Sequence, residues 1–412
     1  MDQVVSFSGD RMNLEYRFPH IEKFRTLRLL ISNDTGRLTI RLKGRHAFWM
    51  RPILGMYFRA YNRLTPISLR DGANLYTLFL PPMPSPAHNR GLENLLRRYL
   101  FGVRIPLAVT IAVTNRCQCR CQHCSLPEAD TGKEEMSIEE IKRVTRESLE
   151  LGVINITFTG GEPLLRRDLE QAIRIIPLDQ AVSLLFTNGV GLTADRLHSL
   201  REAGLRGVQI SLDSPDPSEH DTLRATPGLF NRVRDAVQAA KEEGMLVGLS
   251  TYASNQFVEG GKLAGIAALG EAWGVHEITV FDAIATGRFL HRGDVMLTPA
   301  NRRRLIAEGI RLRQCYAGRL HIITQSWTNS NRGFARLIGC LAGHWQFHIS
   351  ATGHLRPCDF TPLSFGSIRQ ESVAALWKKL TDHPAYHRHS STCRMQSPAF
   401  RRTYLSGGSA MP

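Results

Sequence analysis

Between residues 107 and 281 six short β-branched runs recur, and stretches of helical pattern separate them. The runs cover 107–113, 153–159, 182–187, 208–212, 246–251 and 277–281. The helical stretches open at Ser137, Thr193, Phe230, Gly260 and Thr298. Ser137-Ile138-Glu139-Glu140 is a Ser-x-x-Glu capping box, in which two side chains satisfy otherwise orphaned backbone N–H groups. Strands that alternate with helices are joined by right-handed crossovers, so they form a parallel sheet. Six units fall short of the eight that close a full barrel. The pattern predicts an α/β fold, a partial (β/α)6 TIM-like barrel over residues 105–334.

Four of the eight cysteines lie between 117 and 124, just past the first of these strands. Eight thiols in 412 residues are too few for a disulfide scaffold, and this crowding points to metal instead. In parallel α/β folds the carboxyl end of a strand is where ligands bind. The spacing is Cys117-x3-Cys121-x2-Cys124. Three thiolates so close do not easily surround one tetrahedral zinc. They can cap three corners of a cubane [4Fe–4S] cluster and leave the fourth iron open to an amine and a carboxylate. Zinc held by four thiolates, Cys119 among them, is the other reading. It would make the chain a zinc-stabilised protein that binds polyanions or membranes.

The spacing after the first strand of a partial barrel resembles the radical S-adenosylmethionine (SAM) superfamily. That pattern has no cysteine at 119, so Cys119 reads as a bystander. Thr159-Gly160-Gly161-Glu162-Pro163 at the second strand end looks like the superfamily's Gly-Gly-Glu-Pro motif. The resemblance makes Gly160, Gly161 and Glu162 contacts of the methionine amine. Asn188 after the third strand, and Ser211 and Asp213 after the fourth, look like ribose and carboxylate contacts; Arg224 is a candidate for the SAM carboxylate. Ser250 or Thr251, and the stretch 282–288, are placed to meet adenosine. The resemblance implies that a reduced [4Fe–4S] cluster cleaves SAM to a 5′-deoxyadenosyl radical. That radical would take hydrogen from a peptide or a small biosynthetic intermediate. An electron donor such as flavodoxin or ferredoxin is implied as a partner. No general acid or base is assigned; Asp282, His276, Glu259 and Tyr252 lie near the expected opening.

Cys340-x12-Gly353-x4-Cys358 straddles a predicted hairpin, with strands over 344–350 and 355–359 and a Gly-containing turn between. This resembles the first half of a SPASM or Twitch domain, a small C-terminal module that carries auxiliary clusters. Only Cys393 follows, and Gln396 stands where a Cys-x2-Cys pair would have its second thiol. The resemblance implies one auxiliary [4Fe–4S] cluster on Cys340, Cys358 and Cys393. Its fourth ligand would be substrate, solvent, Cys315, or one of His383, His387 and His389. Structural cysteines or a zinc site are the alternatives.

Residues 1–110 carry 17 Lys and Arg against 7 Asp and Glu, +10 of the net +15. Arg45–Leu64 interleaves arginines with aromatics, which suits an amphipathic helix. An anionic membrane surface is one expected partner of this region; nucleic acid is not. No winged-helix peptide-recognition domain is recognisable. The Pro-rich run 81–86 reads as a rigid linker or loop. The expected divisions are an N-terminal basic domain over 1–104, the radical SAM core over 105–334, the auxiliary module over 335–405 and a disordered tail over 406–412. The first ten residues lack a basic start and an apolar run, so no secretory signal is expected. No run reaches the roughly 18 apolar residues of a spanning helix. The expected location is cytoplasmic, where thiols stay reduced, with peripheral membrane contact.

Overall fold

A computed structural model describes residues 5–8, 11–34, 36–70, 72–126, 132–328 and 339–405. The expected tail, 406–412, and the division near 335 lie outside the described residues.

The basic region folds around a four-stranded antiparallel sheet: β1 (Val5–Ser8), β2 (Arg11–Arg17), β3 (Arg28–Asp34) and β4 (Arg37–Lys43), paired in that order. Alternate residues of β3 are buried, as a sheet with one covered face requires. The cover is α1 (Ala47–Tyr61), whose Met50, Leu54 and Phe58 recur every four residues and join the core with Leu29 and Ile31. Pro52 lies inside α1 and forfeits one backbone hydrogen bond, yet the helix continues. The opposite face leaves Phe48 and Trp49 80% and 73% exposed. A short hairpin, β5 (Ser68–Arg70) with β6 (Ala73–Leu75), leads to α2 (Pro86–Phe101). Ser85 caps α2 by accepting from His88 N at 3.1 Å, with Pro86 in the first turn.

The Pro-rich run is not a free spacer. Asn74 and Met83 exchange both backbone hydrogen bonds, at 2.7 and 2.8 Å. Leu75 and Leu78 pack against Leu184 and Leu246 near the amino ends of the barrel strands. Asn155 Nδ2 donates to Phe79 O at 3.0 Å. Fully buried apolar side chains and a satisfied backbone hold this segment onto the barrel, which overrides the linker reading of its prolines.

All six expected strands form: β7 (Ala108–Ala112), β8 (Asn155–Thr159), β9 (Val182–Thr187), β10 (Gly207–Ser211), β11 (Leu246–Ala253) and β12 (Glu277–Asp282). Each is parallel to the next. Their near-continuous burial explains why they read as apolar runs without alternation. The capping box opens α3 (Ile138–Leu151), with both reciprocal bonds present. The sheet extends at both ends. A four-residue strand, β13 (His321–Thr324), adds in parallel to β12. The expected hairpin appears as β14 (Gln346–Ile349) and β15 (Leu355–Arg356). It does not stand apart, because β14 pairs in parallel with β7. The order is β13-β12-β11-β10-β9-β8-β7-β14-β15, and no ladder among the described residues joins its two ends. The sheet is therefore an open, partial barrel, and the chain after β14 begins on its edge.

Candidate active site

Three strand-end segments converge at the carboxyl side of the barrel. The turn after β8 lies against the base of the cysteine loop: Gly161 N donates to Thr114 O at 2.7 Å and Glu162 N to Arg116 O at 2.8 Å. A Cβ at Gly160 would sit 2.2 Å from Thr114 O, and one at Gly161 2.2 Å from Arg116 O. Gly160 also has a φ of +144°, which L side chains rarely adopt. Both glycines are needed simply to let the turn and the loop touch.

Glu162 is fully buried. Its carboxylate accepts from Leu164 N at 3.1 Å, Thr187 Oγ1 at 2.8 Å and Asn188 N at 2.8 Å. Burial pushes its pKa up to about 7, against the pull of these donors. Sequence alone suggested a ligand contact; the side chain locks the ends of β8 and β9 together. Asn188, so held, turns its carboxamide to the cysteines: Nδ2 lies 3.8 Å from Cys117 Sγ and 3.4 Å from Cys119 Sγ.

The loop is gripped from two further sides. Arg120 N and Gln122 N donate to the carbonyls of Arg224 and Leu223 at 3.1 and 3.0 Å. Arg288 Nη1 donates to Arg120 O and Cys121 O at 2.9 and 2.7 Å. Residues 282–288 were expected at adenosine, yet Arg288 is spent on the loop backbone. Asp282 is buried, accepting from Ser326 Oγ at 2.6 Å and Gln396 Nε2 at 3.0 Å.

Asp213 is 2% exposed and takes Arg224 Nε at 2.7 Å. Burial alone would raise this acid, but Arg224 and His123 outweigh it and hold the carboxyl at about 2. His123 was not singled out from sequence. Its Nε2 lies 3.3 Å from Asp213 Oδ2, and its ring stacks on Tyr252 at 4.6 Å with 11° between planes. Its signal was present, a ring one residue before Cys124 inside the metal-spaced loop. Ser211 Oγ accepts from Ser250 Oγ at 3.4 Å. Thr251 Oγ1 and Tyr252 OH at the end of β11 are buried without a hydrogen-bond partner among the described residues.

Cys117, Cys119 and Cys121 lie within hydrogen-bond reach of one another. Contact with Cys119 lowers the Cys117 thiol and raises that of Cys121, and burial raises that of Cys124. Cys119 is thus not remote from the other three. The sulfurs also receive N–H groups: Cys119 N reaches Cys117 Sγ at 3.4 Å, and the Leu126 amide faces Cys124. Arg224 lies near Cys121. Amide donors and a buried cation suit anionic sulfur.

Cys340, Cys358 and Cys393 are all buried and gather around one point. Amides of Ala342 and Arg394 face Cys340, those of Phe360 and Thr361 face Cys358, and that of Gln396 faces Cys393. A hydrogen bond with Cys393 pulls the Cys340 thiol down to about 5, and the same contact raises Cys393. Buried thiols supplied with amide donors fit an iron–sulfur cluster. Cys315 is exposed at the end of helix Pro299–Cys315, the His383 ring packs on Phe365 and Tyr404, and His387 Nδ1 meets Pro384 O at 2.8 Å. His389 lies against the His344 ring at 4.9 Å. Among the described residues no three His, Cys, Asp or Glu side chains close on a single metal ion.

A family model described as the radical SAM superfamily matches residues 111–253. The chain is 30% identical over 303 residues to PqqA peptide cyclase of Rhodopseudomonas palustris, covering 71% of this chain and 78% of that protein. It is 28% identical over 312 residues to AdoMet-dependent heme synthase of Oleidesulfovibrio alaskensis, covering 71% and 79%. Among solved structures, Streptococcus suis SuiB bound to precursor peptide SuiA superposes with a TM-score of 0.58 at 15% identity, covering 91% of this chain and 88% of that one. The anSMEcpe structure with bound AdoMet gives 0.52 at 16%, covering 68% and 82%. These two likenesses are likenesses of fold.

Proposed function

The chain belongs to the radical SAM superfamily, and from that premise we propose that it is a peptide-modifying enzyme whose barrel cluster is held by Cys117, Cys121 and Cys124. Its cofactors are SAM and a [4Fe–4S] cluster, and its C-terminal module is of the auxiliary-cluster type. Bound together, cluster and SAM supply a 5′-deoxyadenosyl radical able to take hydrogen from an unactivated C–H bond. The protein's part is to hold, orient and shield.

One observation supports the ligand assignment: the Asn188 carboxamide, its backbone held by Glu162, lies at the sulfurs of Cys117 and Cys119 at the start of the cysteine loop. We assign Gly160, Gly161, Asn188 and Ser211 to the SAM-facing rim, with Glu162 and Asp213 as positioning residues behind it. Arg224 meets Asp213 through Nε and keeps its Nη groups as the proposed contact for the SAM carboxylate. Cys340, Cys358 and Cys393 are the proposed auxiliary ligands, supported by their shared burial and amide donors. The two relatives named for peptides, the PqqA cyclase and the SuiB complex, support a peptide substrate. The proposed electron donor is a flavodoxin or ferredoxin, and eight free cysteines favour a reducing, cytoplasmic location.

Anaerobic reconstitution followed by mass spectrometry for 5′-deoxyadenosine tests the reading, with Cys121→Ala as the control that should abolish the product. Product formation by that variant would refute the assignment.

Peripheral membrane contact is a second proposal. Residues 37–70 hold eight Lys and Arg with no Asp or Glu, and α1 presents Phe48 and Trp49 to solvent among them. No described helix is long and apolar enough to cross a membrane. Flotation with anionic but not neutral vesicles is expected, and its absence would end this proposal.

A further inference from the structure

Cys340, buried with Cys358 and Cys393, adjoins one particular surface. Cys340 N donates to Ser390 O at 2.8 Å, and Leu341 follows Cys340 directly. Arg98 Nη1 donates to His344 O at 2.6 Å, and its guanidinium lies 4.0 Å from the Trp345 ring centroid. The Tyr99 ring lies 6.2 Å from that of Trp345. Arg104 donates to the carbonyls of Thr381 and Tyr386 at 2.8 and 3.3 Å, and to that of His387. The end of α2, the chain after it and the two loops flanking Cys340 therefore form one continuous face.

Its chemistry is distinctive. Tyr99, Leu100, Phe101, Val103 and Leu341 are between 38% and 61% exposed. Arg98 and Arg104 stand among them, and Arg388 is exposed on the adjoining loop. The three contributing segments, 94–106, 339–358 and 383–405, contain no Asp or Glu. The nearby Asp382 is paired with Lys378. An apolar centre inside a cationic rim is the composition of a transient protein interface, and its charge selects an acidic partner.

We propose that this face docks a small acidic electron-carrier protein beside the auxiliary cysteines. The inference rests on the radical SAM reading for the need of an external electron. The half-exposed apolar side chains give the carrier a surface to desolvate, and the arginines set its approach.

The test uses the full reconstituted chain, oxidised flavodoxin as the binding probe, and the variant Arg388→Glu. Arg388 is exposed and is assigned to neither the cluster nor the SAM site. Flavodoxin binding should weaken about tenfold in the variant, and should weaken in wild type at high salt. SAM cleavage driven by reduced flavodoxin should fall in parallel, while cleavage driven by dithionite stays at the wild-type level. Unchanged flavodoxin binding would overturn the proposal. So would equal losses with both reductants, or a wild-type dimer that the variant dissolves, which would make the face a contact between copies. Absence of dithionite-driven cleavage in wild type would instead count against the radical SAM reading, and the binding measurement would still decide the docking face.

Discussion

Arg224 Nε lies 2.7 Å from Asp213 Oδ2, and the main-chain carbonyl of the same arginine accepts from Arg120 N in the cysteine loop. The buried ion pair after β10 is thus mechanically joined to the loop after β7. A charge pair in such a place orders the loop without being one of its ligands.

Arg224→Met should destabilise the chain by about 3–5 kcal/mol, because it leaves the buried Asp213 carboxylate without its main cationic partner. Chemical denaturation of the full chain checks this. Arg224→Met with Asp213→Asn should recover part of the loss, since no buried charge is left unpaired. A wild-type midpoint in the single variant would contradict the account.

Glu162 gives a pH signature of definite sign. Its folded-state pKa is raised to about 7, so the folded chain holds the proton more tightly than the unfolded one. Its contribution to stability is full below the unfolded-state value and is lost as pH rises towards 7. Glu162→Gln cannot titrate, so wild type should lose stability relative to it between about pH 4.5 and pH 7. The variant also sets an amide NH2 against a backbone N–H of Leu164 or Asn188, at a pH-independent cost of about 1–3 kcal/mol. Asp213, held at about 2, behaves oppositely: its contribution is present at neutral pH and lost only as pH falls through that value. Denaturant midpoints across this range, for wild type and variant, decide the point.

Gly161→Ala should disturb the proposed SAM cluster while sparing the fold. The added methyl would lie 2.2 Å from Arg116 O, so the loop base must move. Iron retained per chain and SAM affinity should both drop, with little change in far-ultraviolet circular dichroism. Wild-type affinity would mean that the turn and the loop need not touch.

The two cysteine groups should be separable by iron content. Wild type reconstituted without oxygen should hold about eight irons, and Cys121→Ala and Cys393→Ala about four each. Only the first should abolish dithionite-driven SAM cleavage. About four irons in wild type would remove the auxiliary cluster from the account.

The barrel was legible because strands buried on both faces must be built from apolar, β-branched residues, and runs such as 182–187 show it directly. β13 was not legible: four residues opening on His321 carry too little pattern to separate from a helix end. The cysteine spacing marked the proposed metal loop, yet the work of Glu162 and Arg288 is invisible in sequence. Both act through backbone groups of segments remote in the chain. The arginine-rich α1 reads the same whether its aromatics face the core or water. Only the packing of Met50, Leu54 and Phe58 settled which side Phe48 and Trp49 occupy.

The segment 73–86, stitched across the amino ends of the strands, makes the first hundred residues and the barrel one cooperative body. A fragment starting near residue 105 would have no floor: Leu184 and Leu246 would face water, and Asn155 and Glu277 would lose Phe79 and Leu78 as backbone partners. Trimming the chain to its recognisable catalytic half should therefore yield an aggregating product rather than a minimal enzyme.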